Sequence, residues 1–187
     1  MATNRRIVSK DDSGKLYPTP VWATKALLEF ERFAGSVLEP CCGDGSMSEV
    51  LKASGLVVSS SDVVDYGYGE VKDFFDVKDR VDNIITNPPY SIAGEIWDHA
   101  YQLATHKVAL LLRLAFLESI ERYDRIFEHN APARIYVFSE RLSMFPKGDD
   151  RTKGGTTAYA WFVWDRYDHL PTTVNWIPPG TKDRLSG

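Results

Sequence analysis

Cysteine is scarce in this sequence, and the two cysteines present, Cys41 and Cys42, are adjacent. Two neighbouring cysteines cannot provide the disulfide bonds that stabilise small secreted domains, and they lack the spacing of a metal-binding pair. Long apolar runs are missing as well. No stretch approaches the roughly 20 apolar residues of a membrane span, and residues 1–15 lack the apolar core of a signal peptide. We therefore expect a reduced, cytoplasmic protein that makes no contact with a membrane.

An excess of positive charge is also absent. The chain has 22 lysines and arginines against 26 aspartates and glutamates, a formal net charge of −4 and an isoelectric point near 5.6. This balance excludes an overall basic field that would draw the protein to nucleic acid, so any such contact depends on local basic patches. We expect no metal site, because the four histidines do not have the spacing of ligands. They are His99, His106, His129 and His169.

The 187 residues provide one sizeable core, and a second full domain would be a tight fit. Residues 1–15 are polar and are predicted to be a disordered tail, which leaves residues 16–187 as a single domain. Within it, short apolar runs alternate with segments of helical periodicity, and this rhythm predicts a mostly parallel sheet with helices on both faces. Because no helix separates the last two strands, one antiparallel strand is predicted near the edge. The predicted strands are 36–40, 56–61, 82–86, 108–112, 134–138 and 158–164.

Local signals place three of the helices. Thr19-Pro20 offers a capping hydroxyl followed by a proline at the first helical position, which predicts the start of a helix. Ser46 and Glu49 have the spacing of a capping box and predict a second helix. A third helix is predicted over 117–128. Its apolar positions predicted to face inward are Ile120, Tyr123 and Phe127.

A glycine turn follows the first predicted strand, in the segment Glu39-Pro40-Cys41-Cys42-Gly43-Asp44-Gly45. Ser48 stands where a dinucleotide-binding fingerprint has its third glycine, which weakens a nicotinamide interpretation. Glycines let the backbone approach a ligand closely, Glu39 can pair with an ammonium group, and Asp62 after the next strand can bind both hydroxyls of a ribose. Together these residues indicate a pocket for an adenosine that carries an amino acid. Taken singly, they also suit a tight turn and a cap.

The motif that is most informative about chemistry is Asn87-Pro88-Pro89-Tyr90, which directly follows a predicted strand. Two consecutive prolines end the ladder of a sheet, which leaves the Asn87 amide oxygen and the Pro88 carbonyl to accept other hydrogen bonds. Two acceptors can bind both hydrogens of one amino group and draw its nitrogen toward tetrahedral geometry as it attacks a methyl group. Tyr90 offers a flat face on which a base can stack after leaving a duplex. The alternative is a plain turn that ends the strand.

The segment 140–157 has no clear periodicity, and a loop of this length in a small domain is more often functional than idle. It carries four basic residues that we interpret as weak candidates for contacts with nucleic acid. They are Arg141, Lys147, Arg151 and Lys153. Because acidic residues are interspersed among them, a solvated loop without specific partners is an equally good interpretation.

With these motifs in this order, the sequence resembles the amino-group-specific DNA methyltransferases, and particularly the small phage-encoded adenine N6 methyltransferases. The resemblance spans most of the chain and includes Tyr17-Pro18-Thr19-Pro20 ahead of the glycine turn. It implies an α/β, Rossmann-like class I methyltransferase fold, in which a seven-stranded, mostly parallel sheet has one antiparallel edge-side strand and helices on both faces. It also implies S-adenosyl-L-methionine as the cofactor. The implied reaction is methyl transfer to N6 of adenine in DNA, by direct attack of an amine held by Asn87 and the Pro88 carbonyl.

The resemblance also implies which residues bind the cofactor. Tyr17 and Thr19 are implied to hold its methionine part, and Asp73-Phe74 is implied near the adenine. Pro20 and Val63 are further candidates for contact with the cofactor. Phe75 or Asp76 is the alternative for that acid and aromatic pair.

The order of motifs resembles an arrangement in which a target-recognition domain follows, but only about 20 residues follow Trp164. We therefore expect no separate recognition domain, and three alternatives stay open: an enzyme of low specificity, one that reads a short site through its loops, and one that depends on a partner protein. A homo-oligomer stays open as well. The expected substrate is DNA, with RNA as an alternative. Methylation of another amino or amide nitrogen, in an RNA base or a protein glutamine, and cofactor binding without turnover also stay open. A phage-encoded enzyme would act in the cytoplasm of its bacterial host.

Overall fold

A computed structural model describes residues 16–149 and 157–186 of the chain. Its centre is one eight-stranded sheet. The strands are β1 (Ser36–Glu39), β2 (Val57–Asp62), β3 (Glu70–Val71), β4 (Val81–Thr86), β5 (Ala104–Arg113), β6 (Arg134–Phe138), β7 (Tyr159–Asp165) and β8 (Thr173–Ile177). Across the sheet they lie in the order β3, β2, β1, β4, β5, β7, β6, β8.

One strand of the sheet runs against the others. β7 pairs antiparallel with both β5 and β6, whereas the other neighbouring pairs are parallel. The predicted mostly parallel sheet with one antiparallel strand is confirmed, but the sheet has eight strands rather than seven, and β7 has β6 and β8 outside it. Of the eight strands, six were located in the sequence, and the other two are β3 and β8. β8 lies in a region with no predicted strand, and the two residues of β3 are too few to leave a pattern.

Helices cover both faces of the sheet, as predicted. They are α1 (Val21–Phe30), α2 (Ser46–Ala53), α3 (Ala93–Leu103), α4 (Ile120–Arg122), α5 (Glu128–Asn130) and α6 (Thr181–Leu185), with a π turn, Tyr123–Phe127, between α4 and α5. One apolar cluster joins α1, α2 and α6 to one face, and a second joins α3 and the π turn to the other. In the part of the chain that the structure describes, no helix has the length and apolar character to span a membrane.

The first residues of two helices differ from the sequence prediction. Pro20 rather than Thr19 stands at the capping position of α1, so no side-chain cap forms, and the Thr19 hydroxyl accepts a hydrogen bond from Asn87. α2 follows Gly45, and the Ser46 hydroxyl donates to Asp44 rather than accepting from an N–H group of the helix. Both capping predictions are therefore wrong. In each case a contact with a neighbouring turn or a distant segment takes the polar group that the local pattern assigned to a cap.

The helical segment after β5 also differs from its predicted orientation. Ile120 and Tyr123 were predicted to face inward, but they are 84% and 56% exposed, whereas Ile126 is fully buried. The π turn explains the difference, because it places more residues in one turn than an α-helix does. Apolar residues on either side of it therefore no longer share the face that a regular helical period predicts.

A buried cluster of charges joins α1 to the edge at which most of the strands begin. Glu31, which is 3% exposed, accepts hydrogen bonds from Lys107, at 2.6 Å, and from Arg134. Arg134 also bonds to Asp165 at 2.8 Å and to Asp168. Burial acts to raise the pKa of Glu31, but the hydrogen bonds from Arg134 and Lys107 hold it below its ordinary value. These charges belong to the packing of the fold, and the sequence motifs lie at the opposite edge.

Candidate functional site

The order of the strands creates a crevice at one edge of the sheet. From β1 the chain adds β2 and β3 on one side and then places β4 on the other side. At such a switch point the loops after the two central strands part, and ligands of open α/β sheets bind in the gap outside their carboxyl ends. The glycine turn follows β1, and Asn87 follows β4. The fold thus brings the two main sequence motifs to one crevice.

The glycine turn has left-handed backbone at two positions. Gly43 has a φ of 54° and Gly45 a φ of 83°, values that residues with a side chain rarely adopt. A Cβ atom on Gly43 would lie 2.5 Å from a methyl carbon of Leu16, so the N-terminal segment passes directly over the turn. The Asp62 carboxylate accepts hydrogen bonds from the N–H groups of Gly43, at 2.9 Å, and Val64, at 3.0 Å. Asp62 therefore forms the wall of the turn on the side of β2, and burial raises its pKa.

Glu39, the last residue of β1, lies beneath the glycine turn. It is 2% exposed and accepts a hydrogen bond from Ser48, whose hydroxyl oxygen lies 2.5 Å from that of Ser60. Burial, with a further contribution from the charge of Asp62, raises the pKa of Glu39 to about 8. The carboxyl group is therefore largely protonated at neutral pH and is turned toward α2. Its pairing with an ammonium group of a cofactor stays a prediction.

Replacing Glu39 by glutamine is expected to flatten the pH dependence of stability. A carboxyl group whose pKa rises from 4.5 to about 8 on folding stabilises the protein fully below pH 4.5, and this contribution is lost as the pH rises through 8. Glutamine keeps a neutral polar group of the same size at this position. Urea unfolding at a series of pH values should therefore show a steeper loss of unfolding free energy in wild type than in Glu39→Gln. Parallel curves for the two proteins would contradict this account of Glu39.

Cys41 and Cys42 are free thiols packed within the same turn, and the adjoining Pro40 is buried. Burial raises the pKa of both thiols, and the neighbouring carboxylates add to the shift. Neither thiol is therefore an effective nucleophile at neutral pH. Across residues 16–149 and 157–186, no group of three or more histidine, cysteine, aspartate or glutamate side chains could hold a metal ion.

Asn87 is held by contacts at both ends of its amide. Its Nδ2 donates to the Thr19 hydroxyl at 3.1 Å and to the Met144 sulfur at 3.7 Å. Its Oδ1 accepts a hydrogen bond from the Tyr90 hydroxyl at 3.0 Å. Pro88 is buried, and a short 3-10 helix that begins at Tyr90 leads into α3. The Asn87 amide oxygen is therefore a partly buried acceptor with a defined direction at the edge of the crevice.

The ring of Tyr90 lies between two side chains that the sequence analysis missed. The guanidinium of Arg113, at the end of β5, is 4.6 Å from the centroid of the ring. The ring of Tyr159, at the start of β7, has its centroid 5.8 Å away. Both residues reach the site because β5 lies beside β4 and β7 lies beside β5. No short motif in the sequence marks them.

The segment after β6 reaches the glycine turn. The Lys147 N–H donates to the Leu16 carbonyl at 2.8 Å, and its ammonium group lies 3.0 Å from a carboxylate oxygen of Asp44. Lys147 and Arg141 are both exposed, and the Lys147 ammonium group pairs with Asp44. The contact of either residue with nucleic acid stays a prediction. The other two basic candidates, Arg151 and Lys153, lie outside the described residues.

The residues implied near the cofactor's adenosine and methionine differ in their exposure. Asp73 caps a 3-10 turn by accepting a hydrogen bond from the Phe75 N–H at 3.0 Å. Phe74 is 3% exposed and packs in the core, whereas Asp76 lies at the surface. Phe75 is half-buried, so it is the more accessible aromatic ring of the pair. Two further candidates are exposed, Tyr17 and Val63.

The fold of this chain was compared with those of known proteins. The sequence matches no protein-family model and no curated protein. Solved structures do match. A modification subunit of a "putative type I restriction enzyme" from Vibrio vulnificus YJ016 superposes with a TM-score of 0.59 at 16% identity, over 90% of this chain and 49% of that chain. A "putative RNA methyltransferase" from Pyrococcus horikoshii has a TM-score of 0.56 at 15% identity, over 80% and 85% of the two chains.

The fold is that of the class I methyltransferases. A TehB-like S-adenosylmethionine-dependent methyltransferase from Corynebacterium glutamicum also superposes, with a TM-score of 0.51 at 12% identity, over 77% of this chain and 86% of that one. The predicted Rossmann-like class I fold is thus confirmed. The chain spans about half the length of the modification subunit.

Proposed function

We propose that this chain is an S-adenosylmethionine-dependent methyltransferase that acts on the exocyclic N6 of adenine in DNA. The observation that carries the proposal is the Asn87 amide oxygen, held as an acceptor at the switch point of a methyltransferase fold. An amino group needs such an acceptor, and the adjacent Pro88 carbonyl supplies a second one. The class I fold of the chain agrees with this chemistry.

The crevice suits S-adenosylmethionine in two respects. The left-handed glycines Gly43 and Gly45 add no side chain of their own to the turn after β1, where ligands approach the backbone, and the side chains of Leu16 and Tyr68 lie over them. The Asp62 carboxylate ends β2 beside that turn, the place at which an acid binds ribose hydroxyls. Glu39 beneath the turn is the candidate partner of an amino-acid ammonium group, whose positive charge would favour the ionised form of this buried carboxyl group. When bound, S-adenosylmethionine supplies an electrophilic methyl group on a sulfonium, and the amine that takes the methyl group gives up one proton.

The residues after β4 prepare the substrate nitrogen. The lone pair of an aromatic amine is delocalised into its ring, so the nitrogen is a poor nucleophile until its hydrogens are drawn out of the ring plane. Asn87 Oδ1 and the Pro88 carbonyl accept those two hydrogens, which favours the tetrahedral geometry of the transition state over the planar ground state. No separate basic residue has to act before the attack. The proton can then leave to water.

Tyr90 is assigned the stacking face for the base. In the free protein its hydroxyl donates to Asn87 Oδ1, the atom that the substrate amine requires. An amide oxygen has two lone pairs, so Oδ1 can accept from the Tyr90 hydroxyl and from one hydrogen of the amine. The Arg113 guanidinium lies over the ring and helps to hold it at the site.

Two substitutions of Tyr90 separate its ring from its hydroxyl. Tyr90→Ala is expected to lower kcat/KM for methyl transfer about 10- to 100-fold, because one stacked base contributes about 1–3 kcal/mol. Tyr90→Phe keeps the ring and removes only the hydroxyl, so its kcat/KM should stay close to the wild-type value. Steady-state transfer from labelled S-adenosylmethionine to DNA measures both. Equal losses in the two variants would show that the hydroxyl, not the ring, carries the role.

The nature of the substrate is tested by mass spectrometry of nucleosides. The protein is incubated with S-adenosylmethionine and, separately, with single-stranded DNA, duplex DNA and RNA, and each product is digested to nucleosides. We expect N6-methyldeoxyadenosine from DNA. Methylated adenosine from RNA alone would move the proposal to an RNA base, which the likeness to the Pyrococcus protein favours as a second candidate. The absence of methylated nucleosides from all three would refute a nucleic-acid substrate.

A further inference from the structure

The amide of Asn87 can point in two directions that have almost the same shape. In one, its oxygen faces Tyr90 and the crevice, and in the other its NH₂ group does. Only the first direction offers an acceptor to an amino group, so the proposed reaction requires something that fixes it. Within Asn87-Pro88-Pro89-Tyr90, the Tyr90 hydroxyl cannot fix the direction alone, because it can donate to the oxygen or accept from the NH₂ group. The contacts on the far side of the amide therefore decide whether the site is active.

Two acceptors meet the NH₂ end of Asn87. The Thr19 hydroxyl oxygen is 3.1 Å from Nδ2, and the Met144 sulfur is 3.7 Å from it. A thioether sulfur carries lone pairs and no hydrogen, so it can accept but cannot donate a hydrogen bond. If the amide turned over, the hydroxyls of Thr19 and Tyr90 could rotate and exchange their donor and acceptor roles, but the amide oxygen would face the sulfur without a proton between them. The Met144 sulfur is therefore the contact that favours the observed direction, and the Thr19 hydroxyl anchors the amide beside it.

We propose that Thr19 and Met144 are positioning residues that hold the Asn87 amide with its oxygen toward the substrate. This inference rests on the proposed function. It gives Thr19 a role different from the cofactor contact that the resemblance implies. It also explains why Thr19 is 7% exposed while making no cap for α1, since its hydroxyl is used by a residue 68 positions away in the chain.

The two positioning residues come from segments that are themselves tied together. Thr19 lies in the stretch that passes over Gly43, and Met144 lies in the segment after β6. The hydrogen bond from the Lys147 N–H to the Leu16 carbonyl, at 2.8 Å, joins these two stretches three residues from each positioning side chain. Met144 also packs against the apolar cluster beneath α1. The donor end of the amide is thus enclosed by one connected unit rather than by two independent side chains.

Isosteric substitutions test this role in the full chain. Thr19→Val keeps the shape of the side chain but removes its acceptor, and Thr19→Ser restores the acceptor. We expect Thr19→Val to lower kcat about 10- to 100-fold, the order of effect seen when a reacting group is misplaced slightly. Its dissociation constant for S-adenosylmethionine, measured by calorimetry without DNA, should stay within about twofold of wild type, a factor worth only about 0.4 kcal/mol. Thr19→Ser should recover most of the lost kcat.

Two further variants complete the comparison. Thr24→Val, in α1, is the matched control, because Thr24 is fully buried and its hydroxyl has no partner among the described residues. It should leave kcat unchanged. Met144→Leu removes the sulfur, the contact that disfavours the reversed amide, with little change in volume, and it should also lower kcat. A loss of S-adenosylmethionine affinity in Thr19→Val that matches the loss of activity would overturn the proposal in favour of a cofactor contact.

A second measurement does not depend on activity. The side-chain NH₂ resonance of Asn87, identified by its disappearance in Asn87→Ala, reports directly on the hydrogen bonds of Nδ2. We expect faster hydrogen exchange at this group in Thr19→Val than in wild type or Thr24→Val. Unchanged exchange would overturn the positioning role, even if the protein methylated no nucleic acid. Conversely, wild-type protein that transfers no methyl group would refute the proposed function while the NMR result still decided the positioning of Asn87.

Discussion

Replacing Asn87 by alanine is expected to lower methyl transfer at least about 10³-fold, the upper range of losses seen when one preorganised group is removed from a polar transition state. The substitution removes one of the two acceptors that draw the amine hydrogens out of the plane of the base. It leaves the glycine turn and Asp62 in place. The dissociation constant of S-adenosylmethionine should therefore stay within about twofold of wild type, or about 0.4 kcal/mol. Single-turnover transfer and calorimetry measure the two quantities.

Asn175→Ala is a suitable control for Asn87→Ala. Asn175 lies in the edge strand β8, and its amide donates locally to Thr173. Its removal deletes the same chemical group far from the crevice and should leave transfer unchanged. If Asn87→Ala kept wild-type activity, the amide oxygen would have no part in the reaction. If it lost cofactor binding to the same extent as activity, Asn87 would belong to the cofactor site instead.

Replacing Glu31 by alanine is expected to lower the free energy of unfolding by about 3–5 kcal/mol, the cost of removing one partner from a buried set of charges. Glu31 is 3% exposed and accepts hydrogen bonds from Lys107, Arg134 and the hydroxyl of Tyr136. Without it, two buried cations share the remaining carboxylates at the edges of β6 and β7. Urea unfolding at neutral pH, followed by circular dichroism, measures the loss.

Glu29→Ala is the control for Glu31→Ala, because Glu29 is also paired, with Arg184, but at the surface. An exposed pair of this kind contributes about 0–1 kcal/mol. The pKa of both carboxyl groups is lowered on folding, Glu29 by its hydrogen bond from Arg184, so both contributions are lost at low pH and that of the buried Glu31 is the larger. Since the pKa of Glu31 is lowered on folding, its contribution is present above its ordinary value of 4.5 and is lost as the pH falls below that value. Equal losses for both variants at neutral pH would contradict the role assigned to the buried cluster.

The position of the site followed from the sequence because it depends on local order along the chain. Two patterns locate it: a strand followed by a glycine turn, and a strand followed by Asn87-Pro88-Pro89-Tyr90. Each pattern is contained within about ten consecutive residues. The carboxyl ends of parallel strands lie at one edge of a sheet, so these motifs had to meet once the parallel sheet was predicted. The run of buried residues in β7 was visible in the same way, since Trp161 and Phe162 face opposite layers.

The partners of the site residues could not be predicted in this way. Thr19 has the pattern of a helix cap, and nothing near it in sequence indicates that its hydroxyl would be used by Asn87. Met144 and Arg113 reach the site through the packing of whole segments, which leaves no periodic signal. The π turn, Tyr123–Phe127, changes the face of its helix without any change in composition. In each case a tertiary contact overrides a local preference.

The central claim is that the acceptor of the methyl group is an exocyclic amino nitrogen held by Asn87. The most direct test uses two oligonucleotides that are identical except at one position, which is adenine in the first and unsubstituted purine, without the amino group, in the second. With S-adenosylmethionine and wild-type protein, we expect N6-methyladenine in the first and no methylation in the second. Equal methylation of both, or a methyl group on a ring nitrogen of the adenine, would contradict the claim.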